Sequence, residues 1–230
     1  VKLTTNVFRD LNIAFVNQLA LLFEKLGIDT FQVLDAAKRK YNFQVHYPGP
    51  GVGGPCLPVN SYQLLNSANQ FDDNILSLVK LGRNINESMP DHVIELIIDG
   101  LKETNKQISN ATILVLGVSY KPEVKDIQLS PAEQVVDKLK EHGAKIKIYD
   151  PFFKATTVFG IQTEKNIDQA FANVDSVVFL TAHNEFYDLK SSVIASKIPI
   201  PVVIDTKRIL DPDDAKKSGL ILRTLGSGNF

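Results

Sequence analysis

A chain of 230 residues that is 44% hydrophobic and 22% charged has the make-up of a folded globular protein, with length for one large or two smaller cores. Its 25 basic and 26 acidic residues give no global field that would draw nucleic acid or an anionic membrane, so an anionic ligand needs a local cluster. One cysteine excludes an internal disulfide, no apolar run approaches the ~20 residues of a membrane span, and no signal peptide is legible, so a reducing, cytoplasmic setting is expected. The numbering opens on Val1 and the only methionine is Met89, so the chain is expected to be processed or cut from a longer one.

Two halves with different patterning meet near residue 105. In the first, Phe8, Leu11, Phe15, Leu19, Leu22 and Leu26 recur at three and four and predict a helix from Val1 to Leu26 with one apolar stripe. Gly27 is expected to end it, and Asp29 with Gln32 to open the next. Ser61 to Ala68 predicts a short helix, and a longer periodic segment runs from about Asp72 to Glu103. Pro90 interrupts that segment, and Ser88, Pro90 and Asp91 together predict a cap with a break or kink. Arg83, Asn84 and Asn86 make a polar cluster on this helix and are expected at the surface. In the second half, Ala111 to Tyr120 predicts a buried strand. Ser130-Pro131-Ala132-Glu133 predicts a helix start for a helix ending at Gly143. Further strands are expected at Lys145 to Tyr149, Ser176 to Leu180, Val202 to Asp205 and Leu220 to Leu225. Strands alternating with helices imply a mostly parallel sheet covered on both faces, with ligands beyond the carboxyl ends of its strands.

Three groups of residues have chemical potential. The loop Pro48-Gly49-Pro50-Gly51-Val52-Gly53-Gly54-Pro55-Cys56 would let backbone amides approach a ligand and presents the one thiol at its exit. Taken alone, Cys56 reads as a small buried apolar side chain; its place at the exit of this loop is what makes it a candidate nucleophile. Lys2 and Asn6 lie four apart on one face of the first helix, with Arg9 and Asp10 continuing its polar side. They suit a solvated helix face, or an electrophilic pair beside a thiol. Lys121, in Gly117-Val118-Ser119-Tyr120-Lys121-Pro122, sits past a strand end, where a cation could meet a phosphate or simply solvent. That segment is not a Gly-x-Gly-x-x-Gly signature. The histidines at 46, 92, 142 and 183 lack metal-ligand spacing, so no metal is assigned.

These pieces together resemble one family. Lys2 to Ala14 is similar to the opening of the central helix of nucleotide-sugar 6-dehydrogenases (the UDP-glucose/GDP-mannose dehydrogenase family), and Pro48 to Cys56 with Leu57-Pro58-Val59 to their catalytic-cysteine loop. Tyr120-Lys121-Pro122, Asp126-Ile127 and Ser130-Pro131 resemble the start of their UDP-binding domain. The Pro-Gly-Pro-Gly-Val-Gly-Gly form of the loop, and Arg83 to Pro90, resemble the branch acting on UDP-N-acetylmannosamine and UDP-N-acetylglucosamine. The resemblance implies an α/β fold: a helical central, dimerising domain over 1–105, then a Rossmann-like parallel-sheet UDP-binding domain over 106–230. It implies oxidation of a sugar C6 alcohol to the acid, with two hydrides passing to NAD and a thioester on Cys56, in polysaccharide biosynthesis. Lys2 and Asn6 would stabilise oxyanions and orient water. Gly49, Gly51, Gly53, Gly54, Tyr120 and Lys121 would hold the UDP-sugar, and the first helices would form a homodimer. Asn60 stands where the family has a catalytic aspartate, Pro55 where this branch has histidine, and Gln128 where it has arginine. The family's NAD-binding domain is not legible in these residues, so its cofactor contacts are unassigned and the isolated chain is expected to be inactive. Two other readings remain: a non-catalytic module that binds a UDP-sugar and dimerises, and a relative of short-chain hydroxyacid dehydrogenases, which would need neither the cysteine loop nor the second α/β unit.

Overall fold

A computed structural model describes residues 1–72, 74–199 and 201–228. The first half holds α1 (Lys2–Leu26), α2 (Thr30–Ala37), α3 (Leu57–Ala68) and α4 (Ser77–Lys102). Gly27 closes α1 in the left-handed conformation (φ 67), where its N–H and that of Ile28 satisfy the carbonyls of Glu24 and Phe23. Asp29 then caps α2, its carboxylate accepting from Phe31 and Gln32 N–H.

The apolar stripe anticipated on α1 faces the other way. Phe8, Phe15, Leu22 and Leu26 are all at least half exposed, and the buried face carries Val7, Asp10, Ala14, Asn17 and Ala20. Small side chains let α1 close on α4, where Leu11 fills the space over Gly82, and the two polar residues find partners inside. Two other expectations are corrected. α4 runs through Pro90 without a break: the proline is buried and packed with Met89 against the core, which offsets its missing hydrogen bond. Arg83 and Asn86 are buried rather than superficial, because both pair with Asp10; only Asn84 is exposed.

The second half is a five-stranded parallel sheet. Its strands β1 (Thr112–Leu116) and β2 (Lys145–Tyr149) are joined by α5 (Pro131–Glu141), after which β3 (Thr157–Val158) and β4 (Ile161–Gln162) make a small antiparallel hairpin. There follow α6 (Ile167–Ala170), β5 (Ser176–Phe179), α7 (Asn184–Tyr187), α8 (Ser191–Lys197), β6 (Val202–Asp205), α9 (Pro212–Lys217) and β7 (Ile221–Thr224). The order is β2-β1-β5-β6-β7. Chain direction across the sheet reverses between β1 and β5, a topological switch point of the kind at which such sheets bind ligands. The expected strand over 111–120 stops at Leu116, since Gly117 turns out at φ 84 against Thr181.

Alternation along the strands splits the core. Ile113, Val115, Ile148, Val178, Val202 and Ile204 face α5 and the second half of α4; Leu114, Leu116, Val177, Phe179 and Val203 face Phe171, Phe186, Ile194 and Ala215 on the other side. One helix therefore serves two layers. The first half of α4 packs on α1 and α3, and Met89, Val93, Ile97 and Leu101 continue its buried stripe onto the sheet.

Candidate active site

The Pro48–Cys56 loop lies at the seam between the helical layer and the carboxyl ends of the strands. Its amide groups are partly committed to the protein. Gly49 N–H donates to Asn17 Oδ1 at 3.0 Å, and Gly54 N–H to the Gln128 carbonyl at 3.0 Å. Those of Gly51 and Gly53 have no protein partner among the described residues. Glycine is required here by close approach to protein. A Cβ on Gly53 would stand 2.3 Å from the Leu129 carbonyl oxygen, and one on Gly54 (φ 87) 2.6 Å from the Tyr120 ring. The segment carrying Tyr120 and Lys121 thus closes over the glycines that precede the thiol; Lys121 itself is exposed beside it.

Cys56 is half-buried and occupies the N-cap position of α3, ahead of Leu57 and Pro58. Pro58 at the second helical position loses no hydrogen bond there, which is why the helix starts four residues earlier than its apolar pattern predicts. One turn on, Asn60 Oδ1 accepts from Asn6 Nδ2 at 2.6 Å, and Asn60 Nδ2 donates to Gln63 Oε1 at 3.0 Å. The fold therefore brings Asn6, Asn60 and Cys56 within one helical turn. Lys2 stands a turn before Asn6 at the exposed start of α1, with no ion pair among the described residues.

A buried polar network locks this arrangement. Asp10 binds Arg83 Nη1 at 2.9 Å, Ser61 Oγ at 2.7 Å and Asn86 Nδ2 at 2.8 Å. Asn86 Oδ1 accepts from Asn17, whose own oxygen holds Gly49. Entry to the loop and the first turn of α3 are thereby tied to the same pair of helices. The Asp10 carboxylate beside it holds the Arg83 guanidinium above its usual range despite burial.

Sequence reasoning missed two cations. Lys207 and Arg208 follow β6, in a turn whose amides are capped by Asp205: its carboxylate accepts from Lys207 N–H at 2.9 Å and Leu210 N–H at 2.8 Å. Lys207 Nζ lies against Gly49, 2.6 Å from where a Cβ would be, without an ion pair among the described residues, and burial pushes it down to about 8 although the nearby Asp205 carboxylate opposes the shift. Arg208 binds Asp29 at 2.7 Å and lies over Phe31, while its Nη1 is buried without a partner. Both line a 460 Å³ cavity with Phe31, Asp35, Tyr47 and Pro48, in which the Phe31 and Tyr47 rings stack at 5.7 Å. A second cleft, of 450 Å³, opens on the other flank of the loop between Val52, Val59, Tyr62 and Leu129. The only sequence signal for the cations was their place just past a strand end.

Residues 1–88 match the central domain of the UDP-glucose/GDP-mannose dehydrogenase family and residues 114–212 its UDP-binding domain. A UDP-N-acetyl-D-mannosamine dehydrogenase of Methanococcus vannielii is 32% identical over 99% of this chain. This chain belongs to the UDP-glucose/GDP-mannose dehydrogenase family. Among solved structures of relatives, the UDP-D-ManNAc dehydrogenase of Pyrococcus horikoshii superposes with a TM-score of 0.89 at 32% identity over 100% of the chain. The NDP-N-acetyl-D-galactosaminuronic acid dehydrogenase of Methanosarcina mazei does so with 0.91 at 27% over 99%. The chain spans about half the length of these relatives, 52%, 52% and 50% respectively. The two matched domains leave residues 89–113 between them, which includes the half of α4 that covers the sheet.

The family implies NAD, and the loop after β1 does not fit its pyrophosphate. After β1 the Val118 and Ser119 amides, which a phosphate would need, both donate to the buried Asp150 carboxylate. Among the described residues, no helix is long and apolar enough to cross a membrane.

Proposed function

We propose that this chain is the substrate-binding and catalytic-cysteine portion of an NAD-dependent nucleotide-sugar 6-dehydrogenase that oxidises UDP-N-acetylmannosamine to its uronic acid. What carries the reading is family membership together with Cys56, half-exposed at the exit of the glycine loop and one turn from the Asn6–Asn60 pair. Residues 1–105 act as the helical central unit and 106–230 as the nucleotide-binding unit. Phe31 and Tyr47 offer stacking surface to a base, while Lys207, Arg208 and Lys121 offer charge to the diphosphate. The free N–H groups of Gly51 and Gly53, with Gly49, Gly54 and Tyr120 around them, lead the sugar towards the thiol.

The chemistry follows from what an aldehyde lacks. It has no second hydride to give until a nucleophile makes the carbon tetrahedral. Cys56 sulfur bonds to C6 and its proton passes to oxygen, giving a thiohemiacetal. Loss of hydride to an oxidant held outside these residues gives a thioester, and water then releases carboxylate and thiol. Asn6 and Lys2 stabilise the oxyanions. A free thiol that must stay reduced suits the cytoplasm. The 230-residue chain alone is expected to give no NADH from UDP-N-acetylmannosamine and NAD, since the loop after β1 spends its amides on Asp150.

A second reading has one observation in its favour. Asn6, Asn60 and Gln63 form a chain of amides with no base in it. A module that binds UDP-sugar and dimerises without turnover would have no need of one. Iodoacetamide labelling separates the two. The catalytic reading expects Cys56 to react readily at pH 7.5 and UDP-N-acetylmannosamine to protect it; an unreactive Cys56 in a chain that still binds the sugar nucleotide favours the module. UDP-N-acetylglucosamine, run in parallel, tests the epimer.

A further inference from the structure

The loop that carries Lys121 is anchored from behind by a buried pair to which the proposed reaction gives no role. Asp150, just past β2, is fully buried. Its Oδ2 accepts from Val118 N–H at 2.8 Å and Ser119 N–H at 3.3 Å, and its Oδ1 from Phe152 N–H at 2.8 Å. His183, beyond β5 and also fully buried, meets Asp150 Oδ2 through Nε2 at 3.1 Å. Its Nδ1 receives the backbone N–H of Glu123 at 3.1 Å. A ring nitrogen that accepts carries no proton, so the imidazole is the neutral tautomer with its hydrogen on Nε2, donated to Asp150. Those bonds hold the Asp150 carboxyl below its usual range against the cost of burial.

The bonds fall on both sides of one residue. Val118 and Ser119 precede Lys121 and are held by Asp150; Glu123 follows it and is held by His183. Thr181 adds a bond from its hydroxyl to the Ser119 carbonyl at 2.5 Å. Glu123 sits at φ 60, and its carboxylate accepts Asn184 N–H at 2.8 Å, 3.6 Å from His183 Nδ1. The ends of β1, β2 and β5 are thus clasped together at the switch point of the sheet. On its far side the same loop lays Tyr120 on Gly54 and its Gln128 carbonyl on Gly54 N–H.

We propose that Asp150 and His183 are positioning residues for nucleotide binding: by fixing the backbone before and after Lys121 they set where its ammonium meets a diphosphate. This rests on the assignment of Lys121 to the nucleotide made above. Burying a carboxylate and an imidazole is tolerated here because they bond each other, the backbone of the loop they pin and, for Asp150, the Phe152 N–H.

The test is calorimetric titration of UDP into the chain. Phe at position 183 fills the space between Phe152 and Phe186 but neither accepts nor donates; Gln offers one acceptor and one donor. His183→Phe is expected to weaken UDP about tenfold, the loss of one charge-bearing contact, and His183→Gln to recover most of it. Lys121→Ala should weaken binding by itself yet add little in the His183→Phe background, a coupling that a loss of stability alone would not produce. Unchanged binding by His183→Phe, or losses that multiply in the double variant, would overturn the inference while leaving the nucleotide assignment intact. Failure of the unaltered chain to bind UDP would remove that assignment, and this inference with it. Should His183→Phe not fold, amide exchange on the unaltered chain decides: Glu123 N–H is expected to be protected, and exchange at the unprotected rate overturns the clasp.

Discussion

Lys207 shows how a single side chain can be placed at a cost in stability. Its ammonium lies half-buried against Gly49 with no ion pair among the described residues, and loss of water pushes it down to about 8, against 10.5 for a free lysine, the Asp205 carboxylate opposing the shift. Between those values the unfolded chain holds the proton that the native protein has released, so native stability rises with pH across that window; below it the buried charge is destabilising. Lys207→Met is therefore expected to stabilise the protein at pH 7 by about 2 kcal/mol, and the gain to vanish near pH 10.5, as thermal melts at the two pH values would register. The same change should weaken UDP binding. An arriving diphosphate restores the charge, so binding near pH 8.5 should take up a proton. Calorimetry in buffers of differing ionisation enthalpy reads that uptake, and no buffer dependence would remove Lys207 from the site. Asn60 is the other telling residue. As donor to Gln63 and acceptor from Asn6 it uses both ends of its amide. Asn60→Asp keeps the bond from Asn6 and forces Gln63 to turn its amide. Restored to a full-length enzyme, it is expected to speed thioester hydrolysis, which single-turnover kinetics would resolve.

At the scale of elements, α1, α3 and α4 are organised by polar contacts inside an otherwise apolar contact. The Asp10–Arg83 pair is about as buried as any core residue; Ser61 and Asn86 also bond Asp10 and Glu87 bonds Arg83, while Arg83 Nε is left without a partner among the described residues. Removing one partner leaves a buried charge, so Asp10→Ala is expected to cost about 3–5 kcal/mol in urea unfolding. Replacing both, as in Asp10→Leu with Arg83→Met, should cost much less while still loosening the grip on Gly49 and Ser61. Accelerated iodoacetamide labelling of Cys56 would report that loosening. The loop has a comparable dependence on backbone clearance. Gly53→Ala places a methyl against the Leu129 carbonyl, and the 120–131 segment must move away to admit it.

For the whole molecule, the consequence of burying the polar face of α1 is an apolar surface outside. Phe8, Phe15, Leu22 and Leu26 line it, and Leu78 and Leu81 of α4 lie alongside. We expect a second copy to cover this face, giving the homodimer anticipated from the sequence. Sedimentation at micromolar concentration should return a dimer that Phe15→Lys dissociates without unfolding. Much of this architecture was legible in advance because it is written in local pattern. Helical periodicity, apolar runs, Gly27, Asp29 and Ser130 place α1 to α5 and all five sheet strands to within about five residues, but not the short helices α6 to α9 or the β3–β4 hairpin, and the Pro48–Cys56 loop with Lys2, Asn6 and Tyr120-Lys121 points to the family. What the pattern does not contain is partnership. That Asp10 and Asn17 turn inward while Phe8 and Phe15 turn out, that Pro90 lies in an unbroken helix, and that Lys207 reaches back to Gly49 depend on contacts between residues tens to well over a hundred positions apart. Local composition determined the elements and the chemistry on offer; only tertiary packing decided which side chains would meet, since a buried charge or amide is tolerated only where a distant partner satisfies it.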